Sequence, residues 1–138
     1  VCQWSRTKMK HLLIILSILI LSSHVIGDSK TSETLFEWKT SSGIQWREIG
    51  DKDFQAKYKG DVVIGRPHGV GTLVYPDGNK YVGEFMNGLF HGQGIYTIGI
   101  DGYSYIGQYR IGLLWNGTMK EKNGTTDYKV VNWKKIKQ

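Results

Sequence analysis

The chain has one cysteine, Cys2. Past the N-terminal segment no disulfide, thiolate metal site or cysteine nucleophile can therefore form. No acidic residue occurs before Asp28. Zinc-finger spacing and a recognition-helix pattern are missing, which excludes the common nucleic-acid modules. There is no nucleophile elbow, P-loop or H-E-x-x-H, so the hydrolase, nucleotide-binding and metalloprotease signatures are absent too. The expectation is a non-enzyme without cofactor or metal.

What the chain has in excess is glycine. Of its 18 glycines, 15 fall between Gly60 and Gly124. An interior helical glycine costs roughly 1 kcal/mol relative to alanine, so that concentration argues against a helical domain. The 138 residues leave room for one domain. The formal charge is +6, but Arg6, Lys8 and Lys10 precede an apolar run, and without them 15 basic residues face 12 acidic ones.

That run, Leu12 to Leu21, is broken only by Ser17. A basic start, an apolar core and a small-residue end at Val25-Ile26-Gly27 make the three-part pattern of a secretory signal peptide over residues 1–27. Met9 is placed as its natural initiator. The expectation is export, to the cell envelope or outside the cell, after cleavage near Gly27. The alternative is an uncleaved anchor, although a bilayer span needs about 20 residues. Residues 28–34 are polar and read as loose.

An internal repeat then begins. Tyr58-Lys59-Gly60-Asp61-Val62 recurs as Tyr81-Val82-Gly83-Glu84-Phe85 and as Tyr105-Ile106-Gly107-Gln108-Tyr109, with a degenerate copy at Tyr128 to Trp133. The tyrosine steps are 23, 24 and 23 residues. A second glycine follows each copy, at Gly65, Gly88 and Gly112. Gly69 and Gly71 match Gly92 and Gly94. Tyr-x-Gly-x-Phe alternates with period two, so its tyrosine, glycine and phenylalanine share one strand face. Asn87-Gly88 supplies the turn, and Asp77-Gly78 and Asp101-Gly102 reverse the chain again. The in-register glycines are expected where rings or backbones of neighbouring repeats approach closely.

The stretch from Tyr81 to Tyr96, with Asp101-Gly102 after it, resembles the MORN (membrane occupation and recognition nexus) repeat. The first copy departs at Ile64, and the third keeps only Gly117 of the Gly-x-Gly pair. The resemblance implies an interaction or membrane-association platform, and no attached catalytic activity. The expected fold is all-β: an elongated, twisted antiparallel sheet of MORN-type hairpins, with a non-repeat hairpin and linker (35–57) as cap. The array spans 58–133, in units 58–80, 81–104, 105–127 and a partial 128–133. Residues 134–138 are a basic tail.

Candidate surfaces follow from this layout. Tyr58, Tyr81, Phe85, Tyr105, Tyr109, Trp115 and Trp133 could offer an aromatic face to a protein or glycan, although packing on one another is the plainer role. Lys129, Lys134, Lys135 and Lys137 could contact anionic lipid, although a solvated end is plainer. His68 and His91, with Asp61 and Glu84, recur at equivalent positions, which speaks for structure. Successive hairpins would hold the rings roughly 9–10 Å apart, too far to share a zinc ion with bonds of about 2.0–2.1 Å. Asn116-Gly-Thr and Asn123-Gly-Thr fit the N-glycosylation acceptor pattern, but Asn-Gly is ordinary turn chemistry. An exposed edge strand would make a homodimer easy.

Overall fold

The computed structural model describes residues 31–137; residues 1–27, read above as a signal peptide, and 28–30 lie outside them. Ten strands form one antiparallel sheet. They are β1 (Thr31–Thr40), β2 (Gly43–Arg47), β3 (Lys57–Val63), β4 (Arg66–Val74), β5 (Lys80–Met86), β6 (Leu89–Thr97), β7 (Ser104–Arg110), β8 (Leu113–Lys120), β9 (Thr126–Val131) and β10 (Lys134–Lys137). The spatial order is β10-β9-β8-β7-β6-β5-β4-β3-β1-β2. Consecutive hairpins therefore lie side by side from β3 onward, as the period predicts.

The turns explain the register. Ile64-Gly65, Asn87-Gly88, Ile111-Gly112 and Asn132-Trp133 all take positive φ at both positions. That is the turn geometry whose twist matches a two-residue hairpin. Each later turn is also tied to the unit before it: Gly88 N donates to Pro67 O (2.8 Å), Gly112 N to Phe90 O (3.0 Å) and Trp133 N to Trp115 O (3.0 Å). Just inside the first three of these turns the register slips, between Gly60 and Val62, Gly83 and Glu84, and Gln108 and Tyr109. These bulges add local twist.

Several boundaries differ from the sequence reading. Residues 31–34 are not loose: they open β1, with Glu33 opposite Gly60 and Thr34 opposite Lys59. The open edge of β3 recruits them, because an unpaired row of backbone groups is satisfied by the nearest extended segment. The tail is a strand as well: Lys134–Lys137 pairs with β9 as a tenth strand, with residues 134–136 exposed. Trp133 is a turn residue, and the last full repeat strand is Thr126–Val131. The cap hairpin exists, but β1 sits inside it and β2 forms the outer edge. Residues Thr31 to Phe36 pair with β3, and Phe36 to Thr40 with β2.

The core lies on one face of the sheet. Leu35, Ala56, Tyr58, Val62, Leu73, Tyr81, Phe85 and Tyr109 are buried. A single flat sheet could not bury them. The bulged sheet curls, and Trp46 from edge strand β2 reaches Tyr58, at 6.0 Å between ring centroids. The Trp46 indole nitrogen also lies 2.5 Å from where a Cβ on Gly88 would stand, in the turn between β5 and β6. The cap thus closes the N-terminal half of a concave face. All eight core residues precede Arg110, so the C-terminal hairpins add little to the core.

Candidate binding surfaces

On the concave face each of the first two repeats contributes a tyrosine whose ring lies along the glycines of its own hairpin. A Cβ at Gly94 would meet Tyr81 Cζ at 2.5 Å, and one at Gly71 would fall on the Tyr58 ring. The glycines are therefore seats for rings within one hairpin, not contacts between neighbouring repeats as the sequence suggested. The hydroxyls reach carbonyls at the bulge: Tyr58 donates to Asp61 O (2.6 Å), and Tyr81 to Glu84 O (3.0 Å) and His91 O (3.2 Å). Tyr109 instead donates to Tyr105 O (2.8 Å). Burial pushes the ionisation of all three phenols well above the ordinary tyrosine range.

The rings form a continuous layer. Tyr58 meets Phe85 edge-on at 5.0 Å, Phe85 meets Tyr81 at 5.1 Å, and Tyr81 meets Tyr109 at 5.1 Å. Phe90 stacks on Tyr81 at 3.8 Å. Four of the candidate aromatics, Tyr58, Tyr81, Phe85 and Tyr109, are thus core residues without a free face; the curl of the sheet, invisible in the sequence, encloses them. Tyr105 is half-buried and lines a cavity of about 340 Å³ with Tyr75, Phe90, Tyr96 and Leu114. Trp115 and Trp133 pair at 6.1 Å, with the Arg110 guanidinium 3.1 Å over the Trp115 ring. That cation occupies the ring face a sugar would need.

The carboxylates beside the histidines have backbone partners. Asp61 Oδ2 accepts from Val70 N and Glu84 Oε1 from Gln93 N, both at 2.9 Å. They close the bulge where the ladder leaves amides unpaired. Asn116 is held by its Oδ1, which accepts from Asn132 N (2.9 Å), and Asn123 Oδ1 accepts from Thr125 N (2.7 Å) in a turn.

The tail lysines do not form one patch. Lys135 places its ammonium 3.6 Å over the Tyr128 ring, while Lys129 belongs to the other face. Lys134 pairs with Val131, and Lys137 has Tyr128 as its register partner.

The sequence reading missed the convex face as a surface. One register row runs Thr34, Lys59, Thr72, Val82, Ile95, Ile106, Thr118, Lys129 and Ile136. The next runs Phe36, Lys57, Val74, Lys80, Thr97, Ser104, Lys120 and Thr126. Together they hold five lysines and no acid. Val74, Val82 and Ile95 at their centre are 39–42% exposed. A signal was available for four of the five: Lys57, Lys59, Lys80 and Lys129 each lie next to a repeat tyrosine on the same strand, and so on the opposite face.

Two of the hairpin units correspond to a known family. Residues 58–80 and 81–99 match the MORN repeat. Part of the chain is 58% identical over 41 residues to the ALS2 C-terminal-like protein of Bos taurus, covering 30% of this chain and 4% of that protein. It is 51% identical over 43 residues to human Alsin, covering 31% and 3%. It is 48% identical over 40 residues to the inactive protein tyrosine kinase pTKL of Plasmodium berghei, covering 28% and 3%. The chain thus matches only 3–4% of the length of these relatives. The cap and the hairpins after residue 99 lie outside the family match.

Proposed function

We propose that this chain is a non-catalytic binding module that lies on anionic membrane surfaces through the convex face of its MORN-type sheet. The observation that carries this is the acid-free double row, in which Lys57, Lys59, Lys80, Lys120 and Lys129 surround exposed Val74, Val82 and Ile95. Lysines near an anionic leaflet contribute about 1 kcal/mol each. Aliphatic side chains between them can enter the headgroup boundary. The neighbouring acids Asp61 and Glu84 are already engaged by backbone amides. Among the described residues no helix is long and apolar enough to cross a membrane.

Co-sedimentation with phosphatidylcholine vesicles, with and without phosphatidylserine, tests this reading. We expect binding only to the acidic vesicles, weakening steeply with salt, because exposed charges are screened within about 8 Å at physiological ionic strength. The triple variant Lys57→Glu, Lys59→Glu, Lys80→Glu should abolish it and stay folded, since all three side chains are exposed. Equal binding to neutral vesicles, or retention by the variant, would overturn the assignment. The tyrosine-lined cavity at Tyr96 and Tyr105 would then be the better docking surface, for an extended protein segment.

A further inference from the structure

A second site lies in the cap, away from the convex face. β3 begins only at Lys57, while β1 continues to Thr40. Residues 37–40 therefore have no strand on that side. The incoming segment Phe54–Ala56 fills part of the gap, held to β1 by Glu37 N donating to Ala56 O (2.9 Å). What remains is a cavity of about 350 Å³ between β1, this segment and Tyr75-Pro76. Glu37 lines it and is 8% exposed.

The residue is largely buried, while its carboxylate has no protein partner. Among the described residues none donates a hydrogen bond to its side chain or forms an ion pair with it. Burial pushes its ionisation upward, and only the field of Lys39 opposes that. The carboxylate oxygens face the cavity and are not sealed from it, so a partly desolvated anion without a protein partner stands open to an entering cation. The remaining walls select the kind of cation. Phe54 and Tyr75 offer aromatic rings, and Ala56 and Pro76 offer aliphatic surface. No group of three metal-ligating side chains occurs among the described residues, and one carboxylate is too few for a hard divalent ion. Rings and an anion together hold alkylammonium groups well.

We infer that this cavity binds an organic ammonium ion, its charge at Glu37 and its aliphatic stem against Phe54 and Pro76. A lysine side chain of a partner and a free alkylamine share that chemistry. Lys39, exposed and on the same strand, is the internal competitor. The site is independent of the membrane reading, because Glu37 belongs to the concave-face alternation of β1 and not to the lysine rows.

An NMR titration at neutral pH with pentylamine, and with pentanol as the uncharged control, tests the inference. Pentylamine should shift Phe54, Ala56 and Tyr75 signals saturably, and pentanol should not. Glu37→Gln should weaken pentylamine binding at least about tenfold without lowering the melting temperature, because a neutral amide of the same shape replaces a partly desolvated charge that no protein group holds. Lys39→Met should tighten it. Equal affinity for pentylamine and pentanol, no saturable shift, or binding unchanged by Glu37→Gln would each overturn the inference. Should Glu37→Gln fail to fold, absence of tightening in Lys39→Met overturns it.

Discussion

Ile64 and Ile111 hold φ angles of 49° and 50° in the tight turns of the first and third repeat hairpins. A β-branched residue in this region crowds its Cβ against the backbone, at roughly 1–2 kcal/mol. Both side chains are largely exposed, 90% and 74%, so no buried contact compensates. Asn87 occupies the equivalent place in the second hairpin, where its short polar side chain tolerates the same angle. Ile64→Asn should therefore stabilise the chain by about 1 kcal/mol, read as a rise in the denaturant midpoint at constant slope. Ile111→Asn should behave alike. A lowered midpoint in both would mean that the exposed isoleucines make contacts absent from this structure. The sequence identified these turns from the glycines at 65, 88 and 112, but gave no reason for isoleucine at 64.

At the scale of the element, the hairpin of the first two repeats is a tyrosine laid over paired glycines, with its hydroxyl on a bulge carbonyl. Gly83 shows how tight that unit is: an added Cβ would lie 2.5 Å from both Gln93 O and Gly94 Cα on the partner strand. Gly83→Val should cost about 3 kcal/mol or more, since overpacking forces the backbone to move. Lys135→Ala, which removes an exposed cation from the Tyr128 ring, should cost less than about 1 kcal/mol. Thermal melts of the two variants provide the comparison, and equal melting temperatures would contradict the seated-ring hairpin. The glycine spacing made the hairpins legible in the sequence. Their ring seats were not, because a period of two places tyrosine and glycine on one face without showing how close the strands come. The bulges after Gly60 and Gly83 were hidden for a related reason: nothing in Asp61 or Glu84 distinguishes a carboxylate that caps backbone amides from one in solvent.

For the whole molecule, the aromatic layer makes stability depend on pH at the alkaline end. Tyr58, Tyr75, Tyr81 and Tyr109 all have ionisations raised by burial. In the unfolded chain these phenols ionise near their ordinary value of about 10. Below that pH both states hold the protons, and stability is unaffected. Above it the unfolded state releases protons that the folded state retains, so stability falls as pH rises. Absorbance titration should show these four phenols ionising together with loss of the strand circular dichroism signal. Smooth ionisation near pH 10 with the fold intact would contradict the buried layer.

Read alone, the sequence determined the all-β class, the hairpin repeat from Tyr58 onward, the glycine-marked turns and a capping hairpin, because glycine spacing and period-two alternation act locally; the glycine-free turn at Asn132-Trp133 carried no such mark. Only the tertiary structure decided which face is usable. The curl that brings Trp46 against Tyr58 and the turn at Gly88 is set by bulges and by a strand order in which β1 lies between β3 and β2. It turns four candidate binding aromatics into core. Register across the strands, which no local pattern encodes, collects five scattered lysines into two adjacent acid-free rows of the convex face and places Glu37 on the wall of a cavity.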